Sequence, residues 1–284
     1  MPHDLEVSGM SVVWVGDGLI DANKACISVF DHGFLTGDGV FESLAVHKGK
    51  PFALDSHLAR LVRSAEGIGL EPIDVDLVRQ ALMAVVEANQ LSEAAVRITV
   101  TAGEGPLSSP RGVSKPLVIV AHTQLLIPKD ASRVAIAPWP RNERGVLAGL
   151  KTTSYAENVV SSAWARQRGA DEAVFLNTAG NLCEGTGSNI FVVIGGEILT
   201  PPLSSGCLAG VIRDLVISRH PVRQEDIPGS ILQTTGGELE EAFLTSSLRY
   251  VQPISSIDGW EVPRCPGEVT ERIRKDIISL IPQD

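Results

Sequence analysis

The chain has 284 residues, 44% of them apolar, which is enough for a full core and too much for a disordered protein. Its 24 Lys plus Arg against 34 Asp plus Glu leave a net charge of −10, an acidic balance that repels phosphate backbones and argues against nucleic-acid binding. The length is near the upper end for one domain and comfortable for two.

Cys26, Cys183, Cys207 and Cys265 are far apart and the six histidines are scattered. That spacing predicts neither a metal site nor a disulfide framework, and it fits a reducing cytoplasm. Met1 to Met10 carries Asp4 and Glu6 and lacks a basic start followed by an apolar run. No stretch reaches about eighteen apolar residues, so neither export nor membrane spanning is expected.

Short apolar strands come first, Val12 to Val15 and Ile27 to Phe30. A glycine-rich turn, Gly33 to Gly39, leads into an alternating run, Val40 to Val46, that reads as a strand. Lys48-Gly49-Lys50 reads as a hairpin turn, and Asp55 as the N-cap of a helix with Leu58, Leu61, Val62 and Ala65 on one face. Gly67 and Gly69 stop it. A second helix runs from about Asp76 to Ala88, followed by strands at Ala95 to Thr101 and Leu117 to Ala121. Between those strands lies a Gly-, Pro- and Ser-rich loop, Gly103 to Lys115.

Gln124 to Asp130 is a plausible linker, since Pro128 discourages regular structure. Beyond it the pattern predicts a strand at Val134 to Ala137 and a helix from Ser154 to about Arg168. Further strands are expected at Ala173 to Leu176, Ile190 to Ile194, Ile198 to Thr200 and Ala242 to Thr245, with Gly195-Gly196 as a hairpin. Leu208 to Ser218 and the C-terminal stretch with Val269, Ile273, Ile277 and Ile278 read as helices. The order of elements suggests α+β layers, with units at 1–123 and 131–284 joined by the linker 124–130.

Several motifs are decoys. Gly145 to Thr152 has three residues between its glycines and Leu150 before Lys151, so it is not a P-loop. Gly37-Asp38-Gly39 precedes a strand, unlike a dinucleotide fingerprint. No G-x-S-x-G occurs. Asp171-Glu172 and Glu240-Glu241 read as solvated turn charges.

Four segments together carry a resemblance. They are Asp31-His32-Gly33-Phe34-Leu35-Thr36-Gly37-Asp38-Gly39-Val40-Phe41-Glu42 with His57-Leu58-Ala59-Arg60-Leu61; Leu150 to Asn158; Leu182-Cys183-Glu184-Gly185-Thr186-Gly187-Ser188-Asn189-Ile190-Phe191; and Leu208-Ala209-Gly210-Val211-Ile212-Arg213 with Phe243 to Ser247. In this order they resemble the class IV aminotransferases that use pyridoxal 5'-phosphate (PLP): branched-chain and D-amino-acid aminotransferases and aminodeoxychorismate lyases. The resemblance implies a two-domain fold type IV enzyme, with a smaller N-terminal α/β domain and a larger C-terminal PLP-binding pseudo-barrel domain. It also implies PLP at the domain interface and a homodimer.

The resemblance assigns the Schiff-base amine and proton carrier to Lys151. It sets Glu184 against the pyridine nitrogen, and Arg60 against the phosphate, although helical spacing places Arg60 on the polar side of its helix. The amides of Val211 and Ile212 join it from a helix N-terminus, and Ser247 or Ser246 adds a hydroxyl. Relatives often carry Thr where Ile212 stands. Tyr155 is either the hydroxyl that meets the ring oxygen or a core or cap residue.

On the substrate side, Phe41 falls where D-amino-acid aminotransferases carry a carboxylate-binding tyrosine. Arg97 matches the branched-chain arginine position and Arg111 the loop arginine of the other branches; one of them is expected on the substrate carboxylate. Ala45 stands where branched-chain members usually carry arginine. The implied function is transfer of an amino group between an amino acid or primary amine and a 2-oxo acid. The alternatives are aminodeoxychorismate lyase, which forms 4-aminobenzoate and pyruvate, and a non-catalytic PLP-binding protein. No metal, nucleic acid or membrane partner is implied.

Overall fold

A computed structural model describes residues 11–126, 129–232 and 237–282. Met1 to Met10 and, from the expected linker, Ile127 and Pro128 lie outside the described residues. The chain divides into two compact units: the first takes the chain up to Leu126 plus Leu150–Ser154, the second the stretch ending at Gly149 plus Tyr155–Ile281. Among the described residues, no helix is long and apolar enough to cross a membrane.

The first unit is an antiparallel sheet covered by two helices. Its strands are β1 (Val12–Val15), β2 (Gly18–Asp21), β3 (Gly39–His47), β4 (Lys50–Pro51), β5 (Glu93–Thr101) and β6 (Leu117–Gln124), in the order β2-β1-β6-β5-β3-β4. A short helix, α1 (His32–Leu35), precedes β3; α2 (Leu54–Gly67) and α3 (Val75–Ala88) follow β4. Val40, Leu44 and Val46 of β3 pack with Leu58, Leu61 and Ala65 of α2 and with Ala81, Leu82 and Val85 of α3. The period of two along a strand places Glu42 on that same inward row.

Three details differ from the sequence reading. Ile27 to Phe30 is not a strand: it is loop and turn, with Ile27, Val29 and Phe30 exposed, because four residues carry no period that distinguishes strand from loop. Asp55 lies inside the first turn of α2, whose N-cap is Ala53 at φ 52°. The Leu150–Ser154 segment packs with the first unit because it pairs with the start of β3. Phe41 N donates to Lys151 O at 3.1 Å and Thr153 N to Gly39 O at 2.8 Å.

The second unit is a mixed sheet that curls into a half-barrel. Its strands are β7 (Ser132–Ile136), β8 (Glu172–Leu176), β9 (Leu182–Gly185), β10 (Asn189–Ile194), β11 (Glu197–Thr200), β12 (Val222–Gln224), β13 (Leu239–Ser246), β14 (Tyr250–Ile257) and β15 (Trp260–Glu261). The order is β12-β11-β10-β13-β14-β7-β8-β9, with β15 on β14. The pairs β11·β12, β14·β7 and β7·β8 are parallel. Helices α4 (Ala156–Gln167), α5 (Val211–Arg219) and α6 (Glu268–Ser279) accompany it. Sequence patterning does not reveal β14, which holds Pro253 opposite Phe243 between two neighbouring strands, because proline argues against a central strand.

Two carboxylates read as solvated are buried. Glu172 is 4% exposed and accepts from Gly187 N at 2.9 Å, Ser188 Oγ at 2.8 Å and Arg249 Nη2 at 2.5 Å. Glu241 is 1% exposed and caps α6, accepting from Thr270 N at 2.8 Å, Thr270 Oγ1 at 2.7 Å and Val269 N at 3.1 Å. Along β13 strand alternation turns Glu241 inward, whereas Glu172 opens β8, which is buried on successive residues.

Candidate active site

In the first unit the peptide of Lys151 is held at both ends. Its N–H donates to Ser64 Oγ at 3.1 Å, and its carbonyl accepts from Phe41 N at 3.1 Å. The side chain reaches out from this anchored backbone, and Nζ stands 4.3 Å from the centroid of the Phe41 ring. The guanidinium of Arg97 lies on the same ring, at 3.6 Å, and its Nε donates to Thr99 Oγ1 at 3.2 Å. Arg111 is fastened elsewhere: Nε and Nη2 each donate to Asp38 at 2.6 Å, and the remaining donors take the carbonyls of Ile68 and Gly69. Its hydrogen bonds to the Asp38 carboxylate favour the charged guanidinium and raise the Arg111 pKa.

A polar row of α2 is buried beside its apolar face, while Asp55, Ala59, Arg63 and Glu66 remain exposed. His57, Arg60 and Ser64, spaced by three and four, form one stripe, and Arg60 is only 5% exposed. Arg60 Nε donates to Glu42 Oε1 at 2.8 Å and Nη2 to Oε2 at 2.7 Å, while His57 Nδ1 meets Oε2 at 2.6 Å. Burial alone would raise the Glu42 pKa, but the hydrogen bonds from Arg60 and His57 and the charge of Arg60 outweigh it and bring it to about 2. Burial pushes His57 down, against the pull of Glu42, so the imidazole is neutral and donates through Nδ1.

In the second unit Glu184 lies on β9. Its Oε2 accepts from Leu208 N at 2.9 Å, and Oε1 is 3.7 Å from Arg141 Nη2. Arg141 in turn rests on the Phe175 ring at 4.1 Å and donates to Glu157 at 3.0 Å and to Asn158 Oδ1 at 3.2 Å. Tyr155 Oη and Asn158 Nδ2 both donate to Thr186 O at 2.7 Å, which ties the start of α4 to the loop after Glu184. Helix α5 begins at Val211 with Ile212 behind it, and its N-cap, Gly210, brings no side chain to the first-turn amides. A Cβ at Gly210 would stand 2.0 Å from Asn189 Oδ1, so only glycine fits this helix entrance. Ser246 Oγ accepts from Arg249 Nε at 3.3 Å; Ser247 follows it, half-buried.

A family model described as amino-transferase class IV matches residues 39–257. The chain belongs to this family. A Methanocaldococcus jannaschii protein, provisionally named a branched-chain-amino-acid aminotransferase, is 32% identical over 275 residues, covering 93% of this chain and 94% of that protein. An aminodeoxychorismate lyase of Bacillus subtilis is 30% identical, covering 95% and 96%. Among solved structures, the branched-chain aminotransferase of Thermoproteus uzoniensis with norvaline superposes at TM-score 0.86 with 29% identity, over 95% of this chain and 94% of the other.

The class IV aminotransferases depend on PLP, and the donor set suits that cofactor. The amine of Lys151 can meet an aldehyde, and Glu184 can meet a ring nitrogen. Within the first unit the buried Arg60 is a donor of the kind a phosphate takes; within the second, the amides at the start of α5 and the orphaned buried hydroxyl of Thr245, beside Ser246, are donors of the same kind. The sequence reading gave no role to Glu42, His57, Ser64, Arg141 or Asn158. Glu42 and His57 stood inside the first motif; a charged pair in an otherwise apolar helix-and-strand pattern was the available signal.

Proposed function

We propose that this class IV aminotransferase moves an amino group between an amino acid or primary amine and a 2-oxo acid through Lys151. When bound, PLP supplies an aldehyde that bonds an amine and a ring that takes up the electron pair left by Cα–H cleavage. Lys151 Nζ holds the aldehyde carbon in the resting enzyme and, once displaced, carries the Cα proton. Glu184 keeps the ring nitrogen protonated. Arg60, the amides of Val211 and Ile212, and a hydroxyl of Ser246 or Ser247 hold the phosphate. Tyr155 and Asn158 brace the loop after Glu184 through Thr186.

Arg97, stacked on Phe41 beside Lys151 Nζ, is the carboxylate-binding arginine; Arg111 is committed to Asp38 and fastens its loop. The four free thiols fit the cytoplasm, and the family resemblance supports a homodimer.

The observation that carries this reading is the anchored Lys151, whose peptide is pinned on both sides and whose Nζ stands 4.3 Å from the centroid of the Phe41 ring. Borohydride reduction of the PLP-loaded protein followed by peptide mapping is expected to leave the pyridoxyl group on Lys151. A tag elsewhere overturns the assignment. The loaded protein is then mixed with L- and D-amino acids, (R)-amines and aminodeoxychorismate. Conversion of the cofactor to its pyridoxamine form, with ping-pong kinetics, identifies the transaminase. The lyase relative favours a second reading, which release of 4-aminobenzoate would establish. A loaded protein that converts none of them is a non-catalytic binder.

A further inference from the structure

We propose that Glu42, backed by His57, is a positioning residue that aims the Arg60 guanidinium at the cofactor phosphate. The inference rests on the reading of Arg60 given above and adds what directs it.

A guanidinium has two edges that can take a bidentate acceptor. Glu42 occupies one of them fully, through Nε at 2.8 Å and Nη2 at 2.7 Å. A phosphate must therefore meet the other edge, through Nη1 and the second N–H of Nη2. Once one edge is fixed, the plane and direction of the other are fixed as well, because the group is rigid. Glu42 is itself held: it is fully buried on β3, and His57 Nδ1 meets its Oε2 at 2.6 Å. Glu42 comes from the strand; His57 and Arg60 come from neighbouring turns of α2. The arrangement thus ties the direction of Arg60 to the packing of strand against helix and not to its own flexible stem.

Charge accounting points the same way. Arg60 and Glu42 cancel, and His57 is neutral, so the cluster offers a dianion no net positive charge. What it offers is aimed N–H groups, whose value depends on angle. A carboxylate that served only to neutralise a buried arginine would oppose phosphate binding, and its removal would strengthen it. A carboxylate that aims the arginine has the opposite signature.

The test measures binding of PLP, of pyridoxal, which lacks the phosphate, and of inorganic phosphate to the cofactor-free full chain. Glu42→Gln keeps size and one acceptor, and His57 can accept from the new amide by changing tautomer. The variant is expected to bind PLP and inorganic phosphate on the order of tenfold more weakly, with pyridoxal affinity unchanged. Unchanged or tighter phosphate binding, or equal loss for PLP and pyridoxal, overturns the proposal. If Glu42→Gln does not fold, His57→Leu gives the same readout, since it removes the donor to Glu42 Oε2 without touching the arginine fork. Arg60→Lys separates the two claims. If it leaves the preference for PLP over pyridoxal intact, the phosphate reading of Arg60 itself fails; if it removes the preference while Glu42→Gln does not, only the positioning role fails.

Discussion

The guanidinium of Arg97 lies 3.6 Å from the centroid of the Phe41 ring. Lys151 Nζ approaches the same ring at 4.3 Å. One aromatic side chain, buried on β3, thus gathers a cation from β5 and the amine of Lys151. Arg111 has no such relation to Lys151, because Asp38 and two carbonyls hold its donors.

The two arginines should therefore separate in kinetics. Arg97→Ala is expected to raise KM for amino acids by about tenfold or more, a charge-assisted pair being worth about 1.5–3 kcal/mol, and to leave primary amines unaffected. Arg111→Ala should leave both KM values within about twofold and instead speed proteolysis of the loop from Gly103 to Lys115. The reverse pattern would assign the carboxylate to Arg111.

Acid stability follows from Glu42 and His57. Both have folded pKa values below their unfolded ones, so each contributes stability that is complete above the unfolded value and lost as pH falls. For His57 the loss begins near the ordinary 6.5. For Glu42 it runs from 4.5 towards about 2 and amounts to about 3 kcal/mol. Urea unfolding between pH 7 and pH 3 should show the wild type losing stability steadily. Glu42→Gln should start lower and show a shallower slope below about pH 4.5.

Gly210→Ala tests the entrance of α5. The new Cβ would collide with Asn189 Oδ1 at 2.0 Å, and Asn189 is held through Nδ2 to Leu208 O at 2.8 Å. The helix start must move, so PLP affinity should fall by about tenfold or more, with a stability loss of about 1–3 kcal/mol. Equilibrium binding with thermal unfolding measures both.

Glu241→Ala removes three hydrogen bonds at the start of α6. The orphaned amides and the lost cap should cost about 2–4 kcal/mol in chemical denaturation, with little change in PLP affinity.

The sequence by itself determined the family and most of the elements. β3, α3, α4 and α6 follow from apolar periods that survive any tertiary setting, and Lys151, Glu184 and the Gly210-Val211-Ile212 entrance stand in motifs whose order alone is specific. Only the tertiary structure decided which polar residues are inside. Periodicity divides a helix into an apolar and a polar side, and it read Arg60 as outward. In the fold the His57-Arg60-Ser64 row meets a strand that turns a carboxylate towards it, so these polar residues are buried while Asp55, Ala59, Arg63 and Glu66 stay exposed. Glu172 and Glu241 show the same effect on strands, and the more exposed Asp38–Arg111 pair likewise joins distant segments. A charge is cheap to bury only beside its partner, and in each of these contacts the partner lies at least fifteen positions away in the chain. Local sequence carries no record of such a neighbour, which is why the elements could be read and the partners could not.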